Sequence, residues 1–190
     1  MASRLVVISG GPGSGKTSLI EHLESLGYAT VPEAGIQIID ELNRQHGVPG
    51  QIAWRQRHPG DFQRLVRARM VALEAACTIP AGEFGFCDRG RPDALAYAEF
   101  FGIEIDSDLR AFVEGRRYLR VYLLDTLSCF EERPATGRTS DRQRSVRIHD
   151  LLDKAYRSQG YAPCPVPELT IEDRARFVLA ELGKTPTLKA

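Results

Sequence analysis

A chain of 190 residues, 43% hydrophobic and 26% charged, can bury a core of its own and has the composition of a soluble globular protein. Its 25 basic and 25 acidic side chains cancel, which argues against a global field drawing nucleic acid or a membrane surface. No apolar run approaches the length of a membrane span, and because the N-terminus leads straight into an expected strand, no signal peptide is expected. The four cysteines (77, 87, 129 and 164) form no C-x-x-C pair, so reduced, mostly buried thiols in a cytoplasmic protein are expected.

Leu5 to Ile8 is an apolar, β-branched run suited to a strand buried on both faces of a parallel sheet. Gly10 to Thr17 then fits G-x-x-x-x-G-K-[ST] without a mismatch. Ser18 to Gly27 follows as a helix, with Leu19, Ile20, Leu23 and Leu26 on one face and Gly27 as its stop. Strand, glycine loop and helix together are the context a phosphate-binding loop requires. Gly11, Pro12, Gly13, Ser14, Gly15, Lys16, Thr17 and Ser18 are the expected nucleotide contacts. Glycines let backbone N–H groups converge on a phosphate, and the helix N-terminus adds its positive end. Lys16 reaches the outer phosphates, and the Thr17 hydroxyl ligates Mg²⁺.

Tyr28 to Val31 is a second short strand, followed by Pro32-Glu33-Ala34-Gly35 and a helix carrying Ile36, Ile39 and Leu42 or Asn43 on one face. Glu33 thus stands at the C-terminal edge of a strand, where open α/β sheets bind ligands. It reads either as a general base or orienting group for an acceptor hydroxyl, or as a helix-start carboxylate favoured by the dipole. Gln45 to Gly60 reads as a loop, and Asp61 caps a helix to Ile79 with an apolar stripe of Phe62, Leu65, Val66, Met70, Leu73, Ala76 and Cys77. Five arginines (55, 57, 64, 67 and 69) and one acid lie between Arg55 and Arg69. They make either a patch for an anionic acceptor, with Trp54 stacking on a ring, or a solvated basic face beside a core tryptophan. Glu83 to Cys87 is a third strand, and Asp88 at its end suits a magnesium-organising carboxylate. Arg89 beside it can clamp a phosphate or the acceptor. Asp93–Phe101 and Ser107–Glu114 read as helices.

Tyr118 to Leu124 is a fourth strand, ended by Asp125. Glu131 to Ser140 reads as a loop entering a helix, with Ser140 and Gln143 as a capping box and Ile148, Leu151, Leu152 and Ala155 as the apolar stripe. Arg144 and Arg147 each lie four residues before a stripe position and are expected to point at the protein body. With Arg138 and Arg142 they form either a lid over phosphates, neutralising transition-state charge, or a salt-bridged surface helix. Gly160 to Pro167 holds a last short strand and a proline-rich loop, and Thr170 with Asp173 caps a closing helix. The four histidines show no metal-ligand spacing.

Val6–Gly11 with Gly13–Thr17, Pro32–Gly35, Asp88–Gly90 with Pro92–Tyr97, and Gly160–Tyr161 with the closing helix carry a resemblance over nearly the whole chain. The sequence resembles the AAA-type predicted ATPases related to the ribosylnicotinamide kinase domain of the NAD-biosynthesis regulator and to the TRPL translocation defect protein. The resemblance implies an α/β P-loop fold of the nucleoside- or nucleotide-kinase type: a five-stranded parallel sheet of order 2-3-1-4-5, flanked by helices, with a lid. It also implies a base after strand 2 and an acid–arginine pair after strand 3, which map onto Glu33, Asp88 and Arg89. Asp125 to Thr139 departs from the aromatic, proline-rich version of that loop. The expected layout is one domain over 1–183, with an acceptor-side insertion near 45–80, a lid near 131–147 and a tail over 184–190. The expected activity is Mg²⁺-dependent transfer from ATP or GTP to a small-molecule acceptor. Lys16, Glu33, Asp88, Arg89, Arg144 and Arg147 are the catalytic candidates, and Thr17 and Asp88 the metal ligands. The alternative is a slow NTPase or nucleotide-dependent switch that engages an anionic partner.

Overall fold

The computed structural model describes residues 4–128 and 141–183. Five parallel strands form one sheet in the order β2-β3-β1-β4-β5: β1 (Leu5–Gly10), β2 (Ala29–Val31), β3 (Gly85–Asp88), β4 (Arg120–Leu124) and β5 (Cys164–Val166). The order is the expected one. Alternation along β1 explains why its run is continuously apolar. Val6 and Ile8 enter one core with Leu19, Leu23, Phe86 and Val178, whereas Leu5 and Val7 enter another with Cys87, Val121 and Tyr156. Helices α1 (Lys16–Ser25) and α7 (Ile171–Glu181) cover the first face. On the second, α4 (Asp93–Phe101) packs on α6 (Arg142–Ser158) and on α5 (Ser107–Glu114).

The insertion differs from expectation. Residues 45–57 are not a loop: α2 runs Ala34–Arg57, and α3 (Pro59–Ala76) follows at once. Gly47 takes φ 68° and breaks α2 into two legs, and Pro49 starts the second. Glycine and proline thus mark a kink rather than an end, because Pro is tolerated in a helix's first turn. The α3 stripe is also different. Leu65 is 43% exposed, while polar Gln63 and Glu74 are buried. Glu74 is held by Arg91, at 3.0 Å from Nε and 2.8 Å from Nη2, and by the Tyr118 hydroxyl. A carboxylate so fully hydrogen-bonded can be buried on a helix face in place of an apolar side chain.

The α6 cap is Asp141, whose carboxylate accepts the Arg144 N–H at 2.7 Å; Ser140 lies outside the described residues. Thr170 caps α7 as expected, accepting the Asp173 N–H at 3.2 Å. Cys77, Cys87 and Cys164 are free thiols, and burial pushes the Cys87 thiol well up. Among the described residues, no helix is long and apolar enough to cross a membrane.

Candidate functional site

Because β2, β3 and β1 are neighbours, their C-terminal ends bring three stretches side by side: Glu33 after β2, Asp88-Arg89 at β3 and the glycine loop after β1. Gly15 caps α1 in the left-handed region at φ 84°, which starts the helix immediately under the loop. Lys16 is buried there and donates to the Gly11 carbonyl at 2.9 Å and to Ser14 Oγ at 3.3 Å. Burial, then the charge of Arg89, brings its ammonium down to about 8, against the pull of Asp88, Glu33 and Asp93.

Thr17 Oγ1 donates to Asp88 Oδ2 at 2.9 Å, and Asp88 Oδ1 is buried with no hydrogen-bond partner. A hydroxyl beside a carboxylate with one orphaned oxygen is a donor set that fits a divalent cation. Among the described residues, no cluster of three or more His, Cys, Asp or Glu forms. Mg²⁺ bound with a nucleotide takes one or two protein oxygens and fills its octahedron with phosphate and water. Burial, then Glu33, raises the Asp88 carboxyl to about 6.

Arg89 is the hub. It has φ 80°, unusual for a residue with a Cβ, and its guanidinium is nearly buried. Nε lies 3.1 Å from Glu33 Oε1, Nη1 lies 3.0 Å from Asp93 Oδ2, and Nη1 donates to the Gly10 carbonyl at 3.4 Å. The plane sits over Tyr97 at 5.2 Å. Asp93 is 2% exposed and accepts from Ser9 Oγ at 3.0 and 3.1 Å, from the Gly90 N–H at 3.4 Å and from the Tyr156 hydroxyl. This second tier was not expected. Asp93 reads in the sequence as an ordinary helix-start acid, and only its four-residue spacing from Arg89 hints at a pair.

Two further residues touch the loop without an advance signal. Ser145, on α6, donates from Oγ to the Pro12 carbonyl at 2.6 Å. Arg174, on α7, is 1% exposed and donates to the Ser14 carbonyl at 2.7 Å. Gly11 lies so close to Ser145 that a methyl group there would strike the Ser145 backbone oxygen and Oγ. Gly11→Ala is therefore expected to push α6 off the loop, lowering the melting temperature by several degrees and weakening nucleotide binding at least about tenfold. Thermal unfolding and fluorescent-nucleotide titration check this.

A cleft of about 560 Å³ runs from the loop past Glu33 and Arg89 to walls built by α2, α3, α4 and α5. The basic patch divides. Arg55 and Arg67 line the cleft, Arg57 and Arg64 are exposed, and Arg69 pairs with Glu41 at 2.8 Å and Gln37 at 2.9 Å. Trp54 packs on His58 at 5.5 Å and does not line the cleft. Of the helix α6 arginines, Arg144 lines the cleft. Arg147 was expected to point inward, but it is exposed and lies over the Phe100 ring at 5.3 Å. Arg142 is exposed at the start of α6. Arg138 and the loop 131–140 lie outside the described residues.

The family model described as AAA domain matches residues 5–174. No curated protein matches the sequence. Among solved structures, the chain is similar to a thymidylate kinase from Candida albicans, with a TM-score of 0.53 at 12% identity, over 95% of this chain and 90% of that one. The likeness is one of fold.

Proposed function

The chain belongs to the AAA domain family of P-loop NTPases, and from that premise we propose that it is a Mg²⁺-dependent phosphotransferase acting from ATP or GTP on a small-molecule acceptor. The carrying observation is the cleft: it extends beyond the phosphate loop to walls of α2, α3, α4 and α5, with the Glu33–Arg89 pair among its lining; that further reach is the second compartment of this reading. A plain NTPase needs room for water only. In this reading Lys16 and the loop N–H groups of Gly11 and of Gly13 to Ser18 hold the β- and γ-phosphates, with Pro12 shaping the loop. Thr17 and Asp88 would hold the cation, which when bound neutralises phosphate charge. Glu33 orients the acceptor or takes its proton. Arg89 and Arg144 face the charge that develops on the transferring group, so the rate comes from positioning and fixed dipoles. One kinase domain over 1–183, with 45–80 as its acceptor side, is part of the same proposal.

The test is NTP consumption with Mg²⁺ across nucleosides, nucleotides and vitamin-like alcohols, with product masses. Stimulation by one acceptor with a phosphorylated product supports the kinase; an acceptor-independent rate supports the NTPase or switch. Lys16→Ala is expected to lower either activity by about 10²–10³-fold, the scale of losing one oriented charge at a transition state. Activity retained in that variant overturns the assignment.

A further inference from the structure

Resting on the kinase reading, we infer that the acceptor already carries a phosphate: the second compartment is built for a phosphate monoester on a planar ring, the chemical class of nucleoside monophosphates, rather than for a neutral nucleoside or alcohol.

The charge inventory comes first. Among the described residues, the cleft is lined by six cationic side chains and three carboxylates. Lys16 belongs to the phosphate loop, Arg89 is tied to Glu33 and Asp93, and Arg174 donates from Nη1 to the Ser14 carbonyl of that loop, its Nε and Nη2 buried without a partner among the described residues. Arg67 and Arg144 remain, from two different helices. Arg144 lies over Phe100 and Phe101 at 5.0 and 5.5 Å, and Arg67 over Phe112 at 6.0 Å. Neither guanidinium makes a hydrogen bond or ion pair among the described residues. Arg55 donates to Gln51 at 2.7 Å and lies over Phe62 at 5.3 Å. The Arg144 charge is close enough to depress its basicity, second only to burial. Arg55 and Arg144 repel each other in a partly buried cleft, and Arg67 loses hydration there against the pull of Asp106 and Asp108, so an anion entering the cleft relieves the strain on the Arg55–Arg144 pair. Planar guanidiniums already lying on rings hold their forks in place for phosphate oxygens.

The rest of the compartment selects a ring. Phe62, Tyr97, Phe101 and Phe112 line it. Gln63, 7% exposed, also lines it and has no hydrogen bond among the described residues. A buried amide facing a cleft without a partner suits the donor and acceptor edge of a base. An aromatic wall already carrying guanidinium planes, one planar amide and two arginines without ion pairs among the described residues fit a nucleotide better than an aliphatic alcohol.

The chemistry follows. A non-bridging oxygen of the acceptor phosphate forms a bond to the γ-phosphorus. The bond from that phosphorus to the β,γ-bridging oxygen breaks, and its electron pair leaves on the nucleoside diphosphate. Two diphosphates result. The second ionisation of a phosphate monoester lies near about 6, so at neutral pH the attacking oxygen has already lost its proton. Glu33 then has no proton to take, and its part is to hold Arg89 at the transferred group.

The deciding experiment compares each nucleoside with its 5′-monophosphate as acceptor, under MgATP and MgGTP, with products read by mass. The expected result is a nucleoside diphosphate from at least one monophosphate, with kcat/KM about a hundredfold or more above its nucleoside, the scale of a charged hydrogen bond pair. Arg67→Ala is expected to raise the KM for that monophosphate roughly 10–100-fold with kcat changed only a few-fold, and Arg67→Lys to recover part of the loss. Arg67 is partly exposed, so both variants are expected to fold; their melting temperatures check this. Phosphorylation of nucleosides or alcohols but not of monophosphates overturns the inference and leaves the kinase reading standing. So does an unchanged KM in both Arg67→Ala and Arg144→Ala. An NTP turnover rate that no acceptor alters overturns the kinase reading and this inference with it.

Discussion

Asp93→Asn is expected to cut kcat by about 10²-fold and to lower stability by about 2–4 kcal/mol, or roughly 5–15 °C in melting temperature for a chain of this size. The reason lies in its place behind Arg89. The carboxylate holds Nη1 at 3.0 Å while also taking hydrogen bonds from Ser9, Gly90 and Tyr156. An amide of the same shape offers one acceptor oxygen where four donors converge, and its N–H₂ meets a donor. Breaking a buried ion pair costs about 3–5 kcal/mol; Arg89 keeps Glu33, which moderates the loss. Without Asp93, the guanidinium is steered from one side only. Tyr156→Phe removes a single donor and is expected to cost about 1 kcal/mol with kcat nearly unchanged. Thermal unfolding and steady-state kinetics on the two variants check this. Full activity in Asp93→Asn would show that Arg89 is aimed without it.

Asp88→Asn is expected to stabilise the nucleotide-free protein and disable it at once. Burial and Glu33 raise the folded-state carboxyl from 3.8 to about 6. The native state therefore holds this proton more tightly than the unfolded chain does. The contribution is full below about pH 3.8 and is lost as the pH rises to about 6. Above that window the ionised carboxylate is a standing cost of about 3 kcal/mol at 1.4 kcal/mol per unit, already net of its attraction to Lys16 and Arg89. A net gain of about 1–2 kcal/mol for Asp88→Asn at pH 7.5 is expected, read as a melting temperature higher by about 3–6 °C. At pH 5 the gap narrows, because the wild-type group is then mostly protonated. With MgATP the order reverses, since ligand stabilisation accrues to the protein that binds it, and phosphotransfer or hydrolysis falls by about 10²–10³-fold. A melting temperature lower than wild type at pH 7.5 without nucleotide would show that Asp88 is not strained by its burial.

What could be read from the chain alone was chemistry that is local. The glycine spacing, Lys16 and Thr17 lie within eight consecutive residues, and strand-end positions made Glu33, Asp88 and Arg89 visible as candidates. Their meeting in space follows from strand order, which the family resemblance implied and the sheet shows. Ser9, Asp93, Ser145, Tyr156 and Arg174 escaped because each is a polar residue whose burial depends on a partner between 4 and 160 positions away. No periodicity encodes such a partner. The same limit explains α3: a stripe rule counts apolar residues, whereas this helix turns Gln63 to a cleft and Glu74 to an arginine. The segment 45–57 went wrong for a different reason. Gly47 and Pro49 carry loop signals that a kinked helix also satisfies, and local rules cannot tell a bend from an end.

The hydrogen bond from Ser145 to the Pro12 carbonyl joins two parts of the machine by a single residue step. Ser145 rides on the phosphate loop, and the neighbouring Arg144 faces the second compartment from the same helical turn. A helix moves as a stiff rod, so any shift of the loop on loading is transmitted to the arginine without slack. On the proposed kinase reading, this contact would couple occupancy of the phosphate loop to the position of an arginine in the acceptor's part of the cleft.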